Sequence, residues 1–87
     1  MGDKYPLFMR WEVVDLYRSL PRSQKEPLAR FFDFLESYPN LKGDGIEQDS
    51  VGRRVVVKFV ARFKVVYWVD PAAKEIKVLK LERLSKI

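Results

Sequence analysis

Residues 51–84 read VGRRVVVKFVARFKVVYWVDPAAKEIKVLKLERL, and this stretch decides the fold class. It is rich in the β-branched and aromatic residues that favour strands, with short breaks at 61–62 and at Asp70-Pro71. An Asp-Pro pair is typical of the start of a type I turn. We therefore predict three consecutive antiparallel strands, although basic side chains recur in the middle of them.

The alternation of apolar and polar residues predicts how the first two of these strands pair. A two-residue loop at 61–62 would place Phe59 opposite Lys64 and would mix the two sides of the sheet. A three-residue loop would instead pair Phe59 with Phe63, and Lys58 with Lys64 on the opposite side. We therefore predict the three-residue loop.

A four-residue loop at 70–73 joins the second strand to the third in this scheme. The predicted inward side then consists of Val55, Val57, Phe59, Phe63, Val65, Tyr67, Val69, Ile76 and Val78. The predicted outward side consists of Arg54, Val56, Lys58, Lys64, Val66, Trp68, Lys77, Leu79 and Leu81. Lysines opposite each other destabilise a sheet, and apolar residues beside them are unusual on a solvated surface. We therefore expect the outward side to bind a partner.

The first forty residues predict a short strand and two helices. Residues 7–11 are expected to form the strand, and residues 12–20 a helix that Pro21 ends. Its apolar stripe has helical spacing. The stripe consists of Val13, Leu16, Tyr17 and Leu20.

The second helix is predicted over residues 23–38. Ser23 and Glu26 have the spacing of a capping box, although the helix could instead begin at Pro27. Residues 39–52 are glycine-rich and lack apolar periodicity, which predicts a loop. One core cluster should join this helix to the sheet. Its expected members are Phe31, Phe32, Leu35, Val65 and Tyr67.

Composition narrows the functions that this chain can have. The 87 residues contain no histidine and no cysteine, which excludes disulfides, Cys/His zinc sites, and Ser-His-Asp and Cys-His catalytic groups. We expect a single domain over residues 1–87, with no metal and no cofactor. The sequence shows no targeting segment and no apolar run long enough to span a membrane, so a cytoplasmic location is expected. The net charge of +5 arises mainly in residues 53–87, which favours a polyanionic or acidic partner.

The order strand, two helices, loop and three-stranded meander resembles the RelE/ParE toxin superfamily. The members are small toxins of type II toxin–antitoxin systems, including plasmid stabilisation proteins. The resemblance rests on GRRVVVKFVARFKVVYWVDPAAKEIKV and on SLPRSQKEPLARFFDFLESYP, which is similar to the helical hairpin of these toxins. It implies an α+β fold with the two-helix hairpin on one side of the meander, and an antitoxin as partner.

The resemblance also implies functional residues. Ribonuclease members hold the scissile phosphate of messenger RNA in the ribosomal A site with basic residues of the exposed sheet side. By position, Lys58, Lys64 and Arg83 would form this catalytic set. The sequence differs from those enzymes in having no histidine and no tyrosine after Tyr67, and Ala61 replaces a glycine in the first hairpin turn.

Three functions are therefore predicted as alternatives. The first is a toxin that binds an antitoxin and inhibits a target, such as DNA gyrase, by contact. The second is a ribosome-dependent messenger RNA endonuclease, and the third is a non-enzymatic nucleic-acid-binding domain in which Trp68 stacks on a base. The predicted partner-binding residues are Arg53, Arg54, Trp68, Lys77 and Leu79. Alternatively, Trp68, Leu79 and Leu81 pack against the chain's own tail.

Overall fold

A computed structural model describes residues 4–84 and shows an α+β fold with one mixed sheet. The elements are β1 (Leu7–Met9), α1 (Trp11–Ser19), α2 (Arg22–Ser37), β2 (Gly45–Gln48), β3 (Arg54–Val60), β4 (Phe63–Asp70) and β5 (Glu75–Arg83). The five strands lie in the order β1-β5-β4-β3-β2, with β1 parallel to β5 and every other pair antiparallel. The predicted fold class is confirmed. In the described part of the chain, no helix is long and apolar enough to cross a membrane.

Both helices begin slightly earlier than predicted. The N-cap of α2 is Pro21 and no side chain caps the helix, so the predicted capping box of Ser23 and Glu26 does not form. Ser23 lies inside the first turn instead, and Pro27 lies within the helix. Pro27 removes the N–H that would bond the carbonyl of Ser23, and because Ser23 is exposed, water can replace that bond.

A strand, β2, lies within the predicted loop 39–52, so that part of the prediction is wrong. All of its residues are exposed and it has no apolar alternation, because it is an edge strand held by pairing with β3. Carboxylates anchor both of its ends. Asp44 accepts a hydrogen bond from the backbone N–H of Phe59 at 2.7 Å, and Asp49 accepts one from that of Arg53 at 2.8 Å. Side chain to backbone bonds of this kind leave no periodic signal in a sequence.

The turn between β3 and β4 contains two residues, Ala61 and Arg62, so the predicted three-residue loop is wrong. Val60 pairs with Phe63, and Phe59 pairs with Lys64. Ala61 adopts a positive φ of 53°, at the position where type II′ turns favour glycine. The apolar alternation predicted the wrong register because both sides of β3 carry valines. The sequence pattern of this strand therefore does not distinguish its inward side from its outward side.

This register exchanges the two sides of β3. Val56 and Val60 pack in the cluster beneath the helices, whereas Val55 and Val57 form a second cluster on the other side. We call that other side the outer face. It carries Phe8, Glu47, Val55, Val57, Phe59, Lys64, Val66, Trp68, Lys77, Leu79, Lys80 and Glu82.

A β-bulge in β5 causes a second exchange. Asp70 pairs with Glu75, so the β4–β5 turn comprises residues 71–74 and the predicted loop at 70–73 is wrong. Tyr67 lies opposite Val78, and the register shifts between Val66 and Tyr67. Leu79 is the additional residue, so Val66 pairs with Lys80 and Leu81 returns to the core. The prediction that Leu81 points outward is therefore wrong. The inward positions of Phe63, Val65, Tyr67, Val69, Ile76 and Val78 are confirmed.

The main core lies between the helices and the sheet and contains the five residues expected to share it. Phe31 is central to it, with ring centroids 5.8 Å from Phe32 and 6.1 Å from Tyr67. Tyr67 itself is fully buried. The helix stripe and the sheet thus bury their apolar residues against each other, as predicted.

We predict that Phe31→Ala lowers the free energy of unfolding by about 3–5 kcal/mol, because it leaves a cavity among buried aromatic rings. Phe34→Ala is the matched control. Phe34 lies on the same helix but is 48% exposed, so its loss should cost less than about 1 kcal/mol. Urea denaturation of both variants measures the difference, and equal losses would contradict this assignment of the helix faces.

We also predict that Ala61→Gly stabilises the fold by about 0.5–1 kcal/mol, because glycine adopts a positive φ without the strain of a Cβ atom. Ala72→Gly is the control, since Ala72 is an exposed turn residue that does not adopt a positive φ. It should lose about 0.4–1 kcal/mol through unfolded-state entropy. A loss of stability in Ala61→Gly as well would contradict a strained positive φ at Ala61.

Candidate functional site

The outer face is an apolar surface that neither helix covers. Val55, Val57 and Val66 are buried there, with Trp68 and Leu79 packed against them. Both helices lie over the opposite side, so this second cluster is shielded mainly by neighbouring side chains and by the β2–β3 loop.

The bulge in β5 places an apolar and a basic side chain next to each other on this face. Leu79 packs on the valine cluster, and Lys80 lies opposite Val66 in the register. Strict alternation would have directed one of the two residues into the core. The sequence VLKL at 78–81 contains the signal, because its apolar residues break the period of two.

Trp68 lies between two cations of its own chain. The Arg53 guanidinium is 4.3 Å from the ring centroid and the Lys77 ammonium is 5.1 Å away. Arg53 is further held by Asp49, with its Nε and NH2 groups each 2.8 Å from Oδ2. A nucleobase that stacked on Trp68 would compete with these contacts. The predicted partner residues Arg53, Trp68, Lys77 and Leu79 do lie together.

Most other cations of the outer face also have carboxylate partners. Lys64 contacts Glu47 at 2.9 Å, and Lys80 contacts Glu82 at 3.1 Å. The hydrogen bond to Glu47 raises the pKa of Lys64, with a further contribution from the charge of Glu82. Lys64 therefore stays protonated at neutral pH and cannot serve as a general base.

Lys77 is neutralised less closely. Its ammonium lies 3.7 Å from Asp70 and 3.8 Å from Glu75, besides its contact with Trp68. Solvent-exposed pairs at these distances contribute little to stability. They nevertheless offset part of the positive charge of the outer face.

Two grooves run along the outer face on either side of Leu79. One, of about 320 Å³, is lined by Val55, Val66, Leu79 and the β2–β3 loop. The other, of about 280 Å³, lies beside Phe8. Arg10 lines both grooves, although it is not among the site residues predicted from sequence. Arg10 follows β1, whose parallel pairing with the distant β5 leaves no signal in local sequence.

Lys58 lies on the side of the sheet that faces the helices, so its predicted outward position opposite Lys64 is wrong. It pairs with Val65, and its ammonium lies 3.5 Å from Asp44. The two-residue turn is the reason, since it reverses the sides of β3. Arg54 lies on the same side of β3 as Lys58. Its predicted outward position is therefore wrong for the same reason.

Arg83 also lies on the helix-facing side, because the bulge reverses the end of β5. It pairs with Phe63, donates a hydrogen bond to Gln24 of α2 at 2.9 Å, and lies 5.7 Å from the ring of Phe63. The structure therefore does not bring the implied catalytic set together. Lys64 is on the outer face, whereas Lys58 and Arg83 are on the other side.

The Tyr67 hydroxyl does not provide a catalytic group either. It is buried and has no hydrogen-bond partner within the described residues. Burial raises its pKa, and the charge of Asp44 raises it further. The phenol is therefore neutral and inaccessible to a substrate at physiological pH.

Comparison with known proteins identifies a structural relative. A chain in the crystal structure of the archaeal RelE–RelB complex from Pyrococcus horikoshii OT3 superposes with a TM-score of 0.78. The two sequences are 25% identical, and the match covers 97% of this chain and 99% of that one. No family model and no curated protein matches this chain.

We predict that Asp44→Asn lowers thermal stability at pH 7 and that this loss shrinks in acid. The hydrogen bond from Phe59 and the charge of Lys58 lower the pKa of Asp44 below its ordinary value of 3.8. The stability that this carboxylate contributes is therefore present above pH 3.8 and is lost as the pH falls through the lower folded-state pKa.

Thermal melting of wild type and variant between pH 7 and pH 2 measures this dependence. Asp33→Asn, at an exposed position of α2, is the control and should melt close to wild type throughout. An Asp44→Asn deficit that stayed constant over the whole pH range would exclude a role for the charged carboxylate.

Proposed function

Because this chain belongs to the RelE-like toxin superfamily, we propose that it is the toxin component of a toxin–antitoxin pair. In this proposal, the outer face binds the antitoxin and a cellular target. The related archaeal chain was crystallised in a RelE–RelB complex, which supports a protein partner here. Cytoplasmic action and a role in plasmid stabilisation are further parts of the proposal.

The proposal depends on the exposed apolar residues of the outer face. Two aromatic residues of this face, Phe8 on β1 and Phe59 on β3, are 51% and 50% exposed. Apolar residues that span a sheet in this way, with a polar rim, are typical of protein-binding surfaces.

The charges of the outer face favour a protein target over a nucleic acid. Nucleic-acid affinity depends on several cations that are free to neutralise phosphates. Here Arg53, Lys64, Lys77 and Lys80 each have a carboxylate nearby. Inhibition of a target by contact therefore has more support than the two alternatives, RelE-type messenger RNA cleavage and simple nucleic-acid binding.

The division of Lys58, Lys64 and Arg83 between two sides of the sheet supports the same conclusion. One scissile phosphate cannot contact all three, so electrostatic catalysis by this set would need a different arrangement. The chain's toxicity, if it follows from contact, should instead depend on apolar residues of the outer face.

We predict that expression of the wild-type chain arrests bacterial growth and that Phe8→Ser relieves the arrest. Phe8 lies in the groove beside Leu79, so its loss removes apolar contact area from the proposed interface. Phe34→Ser is the matched control, since it removes a phenylalanine of similar exposure from the helix side. Growth curves after induction, with protein levels compared by immunoblot, provide the measurement.

Four results would contradict parts of the proposal. Unchanged growth with wild type would argue against a toxin. Full arrest by Phe8→Ser, or relief by Phe34→Ser alone, would argue against the outer face as the site. Primer extension on messenger RNA from arrested cells addresses the mechanism. We expect no new cleavage sites, and cuts that require the induced chain would favour the ribonuclease alternative.

A further inference from the structure

A cleft of about 540 Å³ lies at the C-terminal end of α2. Small-molecule sites typically have volumes of roughly 300–1,000 Å³. The walls of the cleft are the last turn of α2 with the segment that follows it, Tyr5 before β1, and Lys74 in the β4–β5 turn. Backbone hydrogen bonds fix these walls. The N–H of Tyr5 donates to the carbonyl of Glu36 at 3.0 Å, and the N–H of Leu41 donates to that of Tyr38 at 3.1 Å.

Two aromatic rings stack on each other in the wall that α2 provides. The ring centroids of Phe34 and Tyr38 are 4.6 Å apart, and the angle between the ring planes is 29°. The two residues are 48% and 59% exposed, and neither belongs to the core cluster beneath the helices. Because each ring uses only one of its faces in this pair, a further flat ring can stack on the pair from the cleft.

The polar groups that line the cleft favour an acidic ligand. Among the described residues, Lys74 is the only charged one in its lining. The Ser37 hydroxyl and the Asn40 amide also line the cleft, and within residues 4–84 neither side chain makes a hydrogen bond. Both groups can donate to the oxygens of a carboxylate or a phosphate. The lining therefore combines one positive charge with two uncommitted donors.

The backbone conformation of Lys74 also supports a role for its side chain. Its φ is 55°, a conformation that glycine adopts without strain and a residue with a Cβ atom does not. Proteins retain backbone strain of this kind chiefly at functional sites. Lys74 already interacts with another group of the chain, so a ligand anion adds to an existing contact and contributes only modestly to affinity.

We propose that this cleft binds a small molecule in which a flat aromatic ring is joined to an acidic group. In the complex, the ring stacks on Phe34 and Tyr38, and the acidic group lies near Lys74, with Ser37 and Asn40 as donors. Aromatic carboxylates and nucleoside monophosphates share this chemistry. The site is independent of the proposed toxin function, because the cleft and the outer face have no residue in common.

The test titrates indole-3-acetate into isotopically labelled protein and follows the amide resonances by NMR. We expect the resonances of Tyr5, Tyr38 and Asn40 to shift and those of the outer face to stay unchanged. Cyclohexylacetate has the same charge without a flat ring, and tryptamine has the indole ring with an ammonium group. Each should bind about fivefold more weakly, because it lacks one of the two interactions. Adenosine 5′-monophosphate tests a nucleotide in the same assay.

Tyr38→Leu should weaken binding of indole-3-acetate about fivefold, because it removes one ring of the stacked pair. Trp11→Leu is the matched control. Trp11 is 71% exposed and does not line the cleft, so the affinity of this variant should stay within about twofold of wild type. Amide spectra recorded before titration establish that each variant is folded.

Lys74→Gly separates a ligand contact from a structural role. It should weaken binding of indole-3-acetate about threefold, because it removes the positive charge of the cleft. It should not lower the melting temperature, because glycine adopts the positive φ of this position without strain. A lower melting temperature would instead assign Lys74 to the stability of the fold.

Several outcomes would overturn the inference. They are failure of both indole-3-acetate and adenosine monophosphate to bind, equal binding of cyclohexylacetate or tryptamine, and unchanged affinity in Tyr38→Leu or Lys74→Gly. The stacked pair would then serve only to stabilise the end of α2. Binding of one probe alone supports the inference and assigns the ligand to aromatic carboxylates or to nucleotides. Growth arrest by the wild-type chain does not depend on any of these results.

Discussion

The two-residue turn at Ala61 and Arg62 determines what each side of the sheet can do. It pairs Val60 with Phe63, and this register directs Val55 and Val57 to the outer face and Lys58 toward Asp44. A loop longer by one residue would reverse every side chain of β3. The apolar outer face therefore exists because a non-glycine residue tolerates a positive φ at this one position.

The bulge at Leu79 complements the turn at the other side of β4. It returns Leu81 to the core and places Leu79 and Lys80 together on the outer face. Arg83 is directed to α2 as a result. Two local irregularities thus decide which apolar and which basic side chains share the outer face.

The fold class was predictable from sequence because it depends on strong, local periodicities. The helical stripe around Phe31 and Phe32 and the β-rich run of residues 51–84 both lead to the observed core. The side of β3 was not predictable, since valines on both sides make the alternation ambiguous. The β2 strand was missed because Asp44 and Asp49 hold it through side chain to backbone bonds. The tail proposed to cover Trp68 extends to residues 85–87, which lie outside the described residues.

Site-specific photocrosslinking in growth-arrested cells tests whether the outer face contacts a protein. Benzoylphenylalanine is placed at Phe8, Phe59 or Phe34, three exposed positions of which the first two lie on the outer face. We expect positions 8 and 59 to crosslink to the same protein, identified by mass spectrometry, and position 34 not to crosslink to it. A protein adduct confined to position 34, or adducts to RNA from the outer positions, would contradict this expectation.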